Sequence, residues 1–233
     1  MGRLGDAHRA RIGSNTECWS VVCGDRLGSG CNQALALASP LLVWRRSHYA
    51  QSGEISHHIP GNRRMRFTCS KCGEVHEGMP GFGWDYPVGY LAVPESERAA
   101  RCVLGTDTCV IDAEHFFVRG CIEIPVHGES DPFIWNVWVS LSPTSYEQFR
   151  SVFSEDNRSG TGPFFGWLQS HIWIYPQTIN LKTRVHLRNN GIRPNIELEP
   201  TAHPLAREQS EGIDAGRVVE IFEAVTHPPD TPE

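Results

Sequence analysis

The chain has 233 residues, of which 39% are hydrophobic, and its formal net charge is −6 at pH 7. The hydrophobic fraction excludes a mostly disordered chain, and no apolar stretch approaches the ~20 residues that a membrane-spanning helix needs. The acidic excess lies after residue 64, whereas contacts to phosphates need clustered cations, so we expect neither a membrane nor a nucleic acid as partner.

Residues 1–64 differ from the rest of the chain because they lack sustained helical or strand periodicity. We expect this segment to be a poorly ordered extension, and an alternative is that translation starts at Met65. Residues 65–226 are expected to form a single globular domain, followed by a disordered tail at 227–233. With no convincing secretory signal, we expect a cytoplasmic protein whose cysteines bind metal or stay free rather than forming a disulfide framework.

The sharpest motif is a CxxC pair, Cys69 and Cys72, followed directly by Gly73. A tight turn at this spacing points both sulfurs at one ion, and the glycine relieves strain in the backbone. Soft thiolates favour zinc, although unmetallated thiols and a redox dithiol remain open. A closed structural site needs two more ligands, for which His76 and Cys109 are the best candidates. Weaker candidates are Cys102 and His203.

Strand and helix signals follow in order after this motif. Residues 94–101 begin with Pro and acidic residues and end with Arg, which predicts a short helix. Alternating apolar residues on both sides of the turn at 127–132 predict an antiparallel hairpin of 114–127 and 133–141. A helix is predicted to begin at Ser142-Pro143. The remaining predictions are strands at 164–174, 179–187 and 193–199 and helices at 204–209 and 214–225.

This order of elements does not show the βαβ repetition of a parallel sheet. It predicts an α+β fold with a mainly antiparallel sheet, a few flanking helices and an N-terminal zinc-knuckle-like CxxC turn. About 160 residues can bury a sizeable core, so we expect metal to supply only part of the stability.

A second group of residues forms a candidate ligand or partner surface. Its members are Arg119, Trp138, Lys182, Arg184 and His203. The cationic row on the predicted strand at 179–187 suits an anionic ligand, but Glu197 and Glu199 of the next strand favour ordinary cross-strand ion pairs. Trp138 is interpreted more simply as a core residue. His203 is interpreted as the start of a helix, and the alternative is a catalytic His203 with Glu208 nearby. For Arg119 we expect a half-buried structural ion pair with Asp107, Asp112 or Glu123.

From Met65 onward the chain resembles a bacterial family known as domain of unknown function 2199. The residues that carry the resemblance are Phe67–Gly73 with His76, Asp107–Cys109, Phe116–Gly120 with Ile124-Pro125, Trp138–Ser142, Gly166–Leu168, Leu181-Lys182, Arg193-Pro194 and His203–Gln209. The resemblance implies a small cytoplasmic bacterial protein whose Cys69 and Cys72 look like a metal knuckle, and it transfers no activity.

The sequence lacks a Walker A loop, a Rossmann glycine motif, HExxH and a GxSxG elbow. We therefore expect a zinc-stabilised, non-catalytic domain that binds another protein, without a prediction of its oligomeric state. The alternative is a metal-dependent hydrolase, with Cys69, Cys72 and a third ligand leaving one zinc position open to water. A weaker alternative is nucleic-acid contact through Lys182, Arg184 and Arg188.

Overall fold

The computed structural model of the protein describes residues 65–228 and the strand Arg11–Ser14. The expectations for the rest of residues 1–64 and for residues 229–233 lie outside the described residues. Strands are β1 Arg11–Ser14, β2 Arg66–Thr68, β3 Val75–Glu77, β4 Pro80–Gly83, β5 Cys102–Leu104, β6 Thr108–Ile111, β7 His115–Ile124, β8 Phe133–Leu141, β9 Phe164–Leu168, β10 Lys182–His186 and β11 Asn195–Leu198. Helices are α1 Val88–Ala92, α2 Glu95–Arg101, α3 Pro143–Ser151, α4 Pro204–Glu211 and α5 Ala215–Thr226.

The predicted hairpin is the longest strand pair of the described chain. Strands β7 and β8 are antiparallel over nine register pairs, from Phe116 opposite Leu141 to Ile124 opposite Phe133. The alternation of apolar residues puts Ile122, Trp135 and Val137 in the core, where each is fully buried. The prediction of an antiparallel hairpin around residues 127–132 is confirmed.

Five strands close into a barrel, a feature that the sequence pattern does not predict. Strands β7 to β11 pair in chain order, each antiparallel to the next. The ring closes where β11 pairs in parallel with β7, at Asn195 opposite Cys121. A closed meander with an odd number of strands must contain one parallel pair, so the fold is mainly, not purely, antiparallel.

Two glycines within strands make the close approaches that the barrel requires. A Cβ on Gly120 of β7 would lie 2.5 Å from Ile196 Cδ1 and 2.8 Å from the carbonyl oxygen of Pro194. A Cβ on Gly166 of β9 would lie 2.3 Å from Val139 Cγ1. Because these distances are shorter than van der Waals contact, only glycine lets β11 and β9 pack against their neighbours here.

The long strands β7 and β8 also carry a sheet that extends beyond the barrel. The first half of β7 pairs with β6, which pairs with β5. The first half of β8 pairs in parallel with β4, which pairs with β1. Outside these strands, β2 and β3 form a separate two-stranded hairpin that carries the CxxC turn.

Helices α2 to α5 begin where the sequence predicts, whereas the short helix α1 was not predicted. The Ser142 hydroxyl accepts a hydrogen bond from the Ser145 amide at 3.1 Å and so caps α3, and Asp214 caps α5 through the amide of Arg217 at 2.7 Å. In α5, Val218, Ile221 and Phe222 are buried, as the apolar stripe indicates. Both helices and strands are therefore present, as an α+β fold requires, and no described helix has the length and apolar character to cross a membrane.

Candidate metal centre

The turn between β2 and β3 holds the two cysteines of the CxxC motif. The Gly73 amide donates to the Cys69 carbonyl at 2.9 Å, and the Cys69 amide donates to the Glu74 carbonyl at 2.9 Å. Gly73 has a φ of +75°, the left-handed conformation that glycine adopts without steric cost. The Lys71 amide donates to Cys69 Sγ at 3.4 Å. The turn thus directs a backbone amide toward one of the two sulfurs.

The C-terminal helix α5 packs on this hairpin through hydrogen bonds and rings. The Ser70 amide and hydroxyl donate to the two carboxylate oxygens of Glu223 at 2.5 and 2.9 Å. These bonds, from the Ser70 amide first and its hydroxyl second, lower the pKa of Glu223. The Phe222 ring lies 5.1 Å from Phe67 and 4.4 Å from His76, measured between centroids. The hairpin and α5 are therefore packed directly against each other.

This packing brings three potential ligand atoms together from the two ends of the described region. One ligand atom each from Cys69, Cys72 and His227 lies within 4.8 Å of the others, and His227 is the C-cap of α5. A tetrahedral zinc ion with bonds of ~2.0–2.3 Å separates its ligand atoms by about 3.3–3.8 Å, so a small adjustment would bring these three into range. Cys69 is buried, Cys72 is exposed and His227 is partly buried.

A second group shares Cys72 with the first. Its members are Cys72, Glu74 and His76, again with ligand atoms within 4.8 Å of one another. The Nε2 atom of His76 lies 4.0 Å from Cys72 Sγ. The structure therefore places Cys69 and His76 beside Cys72 in two separate groups, and it adds His227 to the group that contains Cys69.

The Cys72 thiol has a raised pKa, so an ion that binds there would have to displace its proton. A backbone hydrogen bond from Glu74 acts to lower the pKa of the Cys72 thiol, but desolvation and the neighbouring Cys69 outweigh it, and the net shift is upward. A thiol with a raised pKa is protonated at neutral pH. Metal binding here would release a proton and would weaken as the pH falls.

Cys109, the fourth ligand expected from sequence, lies elsewhere. It is fully buried in β6, opposite Leu104 of β5 and Phe117 of β7. Burial, with a smaller contribution from Cys102, raises the pKa of its thiol to about 12. Neither group of potential ligands includes it. Cys109 thus behaves as a small core residue, because strand pairing holds it in the extended sheet.

Arg119 and Trp138 of the predicted partner surface lie opposite each other on β7 and β8. The guanidinium carbon of Arg119 is 5.8 Å from the Trp138 ring centroid. Trp138 is fully buried, and its indole N–H donates to the Trp84 carbonyl at 2.9 Å. The core interpretation of Trp138 is confirmed. The carboxylates expected near Arg119 pair with other arginines, namely Asp107 with Arg193, Asp112 with Arg101 and Glu123 with Arg188.

Lys182 and Arg184 lie on the outward face of β10. The nitrogen Nζ of Lys182 is 3.3 Å from Glu199 Oε2, and His186 Nε2 is 2.7 Å from Glu197 Oε2. The predicted cross-strand pairing with Glu197 and Glu199 is confirmed for Lys182 and His186 of this row. Arg184, which is exposed and lies opposite Glu197, has no ion pair among the described residues.

His203 is the N-cap of α4, as the structural interpretation of the sequence states. Its Nδ1 accepts a hydrogen bond from the Leu205 amide at 3.2 Å. Glu208, its proposed catalytic neighbour, accepts a hydrogen bond from the Tyr175 hydroxyl and lies 2.9 Å from Arg217 Nε. Burial first and Glu208 second raise the pKa of Tyr175. These contacts join α4, α5 and the loop after β9 in a structural network.

Two of the cavities in the described region lie on the barrel. One of about 790 Å³ opens between β7, β11 and α4, and its lining includes Glu123, Arg188, Asn195 and Gln209. The other, of about 350 Å³, lies against the outer face of β10 and β11. Neither is lined by Cys69, Cys72, His76 or His227. The candidate metal centre is therefore separate from both clefts.

His227 is the one candidate ligand that sequence reasoning missed. In the sequence it falls in the predicted tail at 227–233. The available signal was a histidine directly after an amphipathic helix, but that signal does not indicate which residues the helix end approaches. The contact joins positions that are more than 150 residues apart, as the Ser70–Glu223 bonds do.

Comparisons with known proteins give a family and little more. A family model described as an uncharacterised protein conserved in bacteria, DUF2199, matches residues 68–213. That range holds Cys69, Cys72 and His76 and ends before His227. No curated protein and no solved structure matches the chain.

Proposed function

The chain belongs to the DUF2199 family of bacterial proteins, and we propose that it is a zinc-stabilised, non-catalytic domain that binds another protein. In this proposal Cys69, Cys72 and His227 hold the ion and His76 completes the set. The ion ties the N-terminal hairpin to the end of α5. A cytoplasmic location is part of the proposal because a reducing compartment keeps the thiols available to a metal.

The observation that carries the metal proposal is the convergence of Cys69, Cys72 and His227 within 4.8 Å. Thiolate sulfur and imidazole nitrogen are the ligands that zinc favours, and a Cys₂His₂ set gives a closed tetrahedral site. The turn already provides an amide donor to one sulfur, which is the kind of outer contact that orients a metal ligand.

A non-catalytic role is supported by the surroundings of the site. Cys72 and Glu74 are exposed, and the described cavities are lined by other residues. A hydrolytic zinc needs an open coordination position inside a cleft that excludes bulk water and orients a substrate. A metal site on an exposed turn lacks that enclosure, so we rank the hydrolase second.

Metal content and coordination number test the proposal. Native protein purified without chelator is expected to contain one zinc per chain, with a Cys₂His₂ environment in X-ray absorption spectra. Cys69→Ser and His227→Ala are expected to lower the zinc content, whereas Cys102→Ser, a half-buried thiol outside both groups, should leave it unchanged.

Other results would redirect the assignment. Three protein ligands plus a water molecule would favour the hydrolase, and a search with ester and phosphoester substrates would follow. Metal-free protein with Cys69 and Cys72 both freely alkylated would contradict the zinc proposal. Steep salt dependence of RNA or DNA binding would favour the nucleic-acid alternative instead.

A further inference from the structure

Two large aromatic side chains are exposed side by side on the outer face of the barrel. Phe165 and Trp167 of β9 are 52% and 39% exposed, and their ring centroids lie 5.1 Å apart in an edge-to-face arrangement. The alternate residues Phe164, Gly166 and Leu168 point inward and are buried. We call Phe165 and Trp167 the aromatic ledge.

The ledge cannot be explained as part of the core. Burial of apolar surface contributes about 25 cal/mol per Å², so two exposed aromatic rings forgo a substantial stabilisation. The strand period of two points both side chains away from the barrel interior, and turning them inward would require a register shift of β9. Adjacent exposed aromatics of this kind are typical of interaction sites.

The neighbouring strand adds charge and a groove to the ledge. In the β9–β10 register, Arg184 lies opposite Phe165 and Lys182 lies opposite Trp167. A cavity of about 350 Å³ is lined by Phe165, Lys182, Arg184, Glu197, Glu199 and Pro200, among others. Lys182 is neutralised by Glu199 at 3.3 Å, whereas Arg184 has no ion pair among the described residues.

We propose that the aromatic ledge, its groove and Arg184 form the docking surface for a segment of another protein that carries large apolar side chains and a carboxylate. This inference rests on the proposed protein-binding function and names its surface and partner chemistry. The apolar side chains would pack against Phe165 and Trp167. The carboxylate would pair with Arg184, whose planar guanidinium suits bidentate contact with a carboxylate.

Charge complementarity favours this occupant over a nucleic acid. The groove carries Glu197 and Glu199 beside its cations, and Glu199 already pairs with Lys182. One unpaired cation cannot neutralise several phosphates, and the chain as a whole has a net charge of −6. A peptide that contributes a single carboxylate matches Arg184, the cation beside the ledge that has no ion pair among the described residues.

Selection from a peptide display library on the zinc-loaded full-length protein tests the proposal. We expect enriched peptides to combine an aromatic or large aliphatic residue with Asp or Glu. Their affinity should fall at least about tenfold in Phe165→Ala and in Trp167→Ala, the scale of an interface hot spot. Val103 is an apolar residue on β5 that is 74% exposed, and the control variant Val103→Ala should bind the peptides as the wild-type protein does.

A charge exchange provides the second test. Arg184→Glu is expected to weaken the selected peptides and to recover affinity for the same peptides with Lys in place of the acidic residue. Arg150→Glu, an exposed arginine on α3, is the matched control and should change neither affinity. An affinity that is unchanged in Trp167→Ala, or the absence of any enriched motif, would overturn the proposal.

Two other occupants give distinct results that would also overturn it. Binding of a fluorescent 15-nucleotide single strand that is lost in Trp167→Ala would assign the ledge to nucleic acid. A dimer in sedimentation that dissociates in Trp167→Ala would assign it to a second copy of the chain. Zinc content measured on the same samples separates this inference from the metal site: peptide binding by wild-type protein that carries no zinc after purification without chelator would support the ledge and contradict the metal proposal.

Discussion

The barrel and the CxxC hairpin differ in how much of their own apolar surface they bury. In the barrel, strands β7 and β8 have ten and nine residues. Trp135 and Val137 of β8 are completely buried. In the hairpin, β2 and β3 have three residues each, and Val75 is 51% exposed. The barrel is stabilised by its own packed core, whereas the hairpin is stabilised by its contacts with α5.

The difference shows where a metal ion is useful in this fold. A two-stranded hairpin of three-residue strands is marginal in water, because it buries too little apolar surface to offset its conformational entropy. The hairpin here rests on Phe222 and Glu223 of α5. An ion held by Cys69, Cys72 and His227 would reinforce that junction and would add little to the barrel, so local and global stability should respond to different changes.

The largest effect is expected from the barrel core. Trp135→Ala removes a fully buried ring and leaves a cavity, which costs about 3–5 kcal/mol of unfolding free energy. Val75→Ala in the hairpin is the matched control and should change stability by less than about 0.5 kcal/mol, since the side chain is half exposed. Chemical denaturation measures both. Similar losses in the two variants would contradict the contrast between the regions.

Removal of metal is expected to have the next largest effect, confined to the junction. A zinc concentration a hundredfold above Kd would stabilise the bound state by about 2.7 kcal/mol. Chelation should therefore raise hydrogen exchange in residues 65–79 and 215–227 while strands β7 to β11 keep their protection. His227→Ala should reproduce this pattern without chelator. Uniform exchange across the barrel after chelation would show that the ion supports the whole fold.

A smaller effect is expected from the network that joins the loop after β9 to α4. Tyr175→Phe removes the hydroxyl that donates to Glu208, while Arg217 continues to pair with that carboxylate. We expect a loss of about 1–2 kcal/mol, because the lost bond is to a charged acceptor in a buried setting. The control Tyr90→Phe, a partly buried tyrosine on α1, should be close to neutral. Thermal unfolding compares the two.

The smallest effect concerns a surface pair and appears only in acid. The hydrogen bond from Arg101 lowers the pKa of Asp112, with the charge of Arg101 as a further cause. A depressed carboxyl pKa adds stability above the unfolded-state pKa, and that contribution is lost as the pH falls through the folded-state pKa. Asp112→Asn should therefore lower Tm slightly at pH 7 and remove part of the decline below pH 4. An unchanged acid profile in the variant would show that the pair contributes nothing.

Local sequence patterns predicted most elements of the fold. The alternating runs around residues 127–132, the Ser142-Pro143 helix start and the apolar stripe of α5 each depend on neighbours within a few positions, and the structure confirms them. The pairing of Lys182 with Glu199 was also predictable, because it follows from the register of two consecutive strands. By contrast, the run at 164–174 is a strand only through Leu168.

The candidate metal site was predicted in part for the same reason. Cys69, Cys72 and His76 lie within eight positions, so one hairpin carries all three, with Cys72 close to Cys69 in one group and to His76 in the other. Cys109 was also predicted as a ligand, but the pairing of β6 with β5 and β7 buries it in the sheet. Its distance from the turn is a property of the strand order, which periodicity does not determine.

By itself the sequence determined the type of each strong element, the form of the CxxC turn and the acidic character of the body, because these depend on neighbouring residues and on composition. Only the tertiary structure decided that β11 returns to β7 and closes a barrel over Gly120, and that His227 reaches the cysteines. Both contacts join residues far apart in the chain, and whether such contacts form depends on how the packed elements fit together.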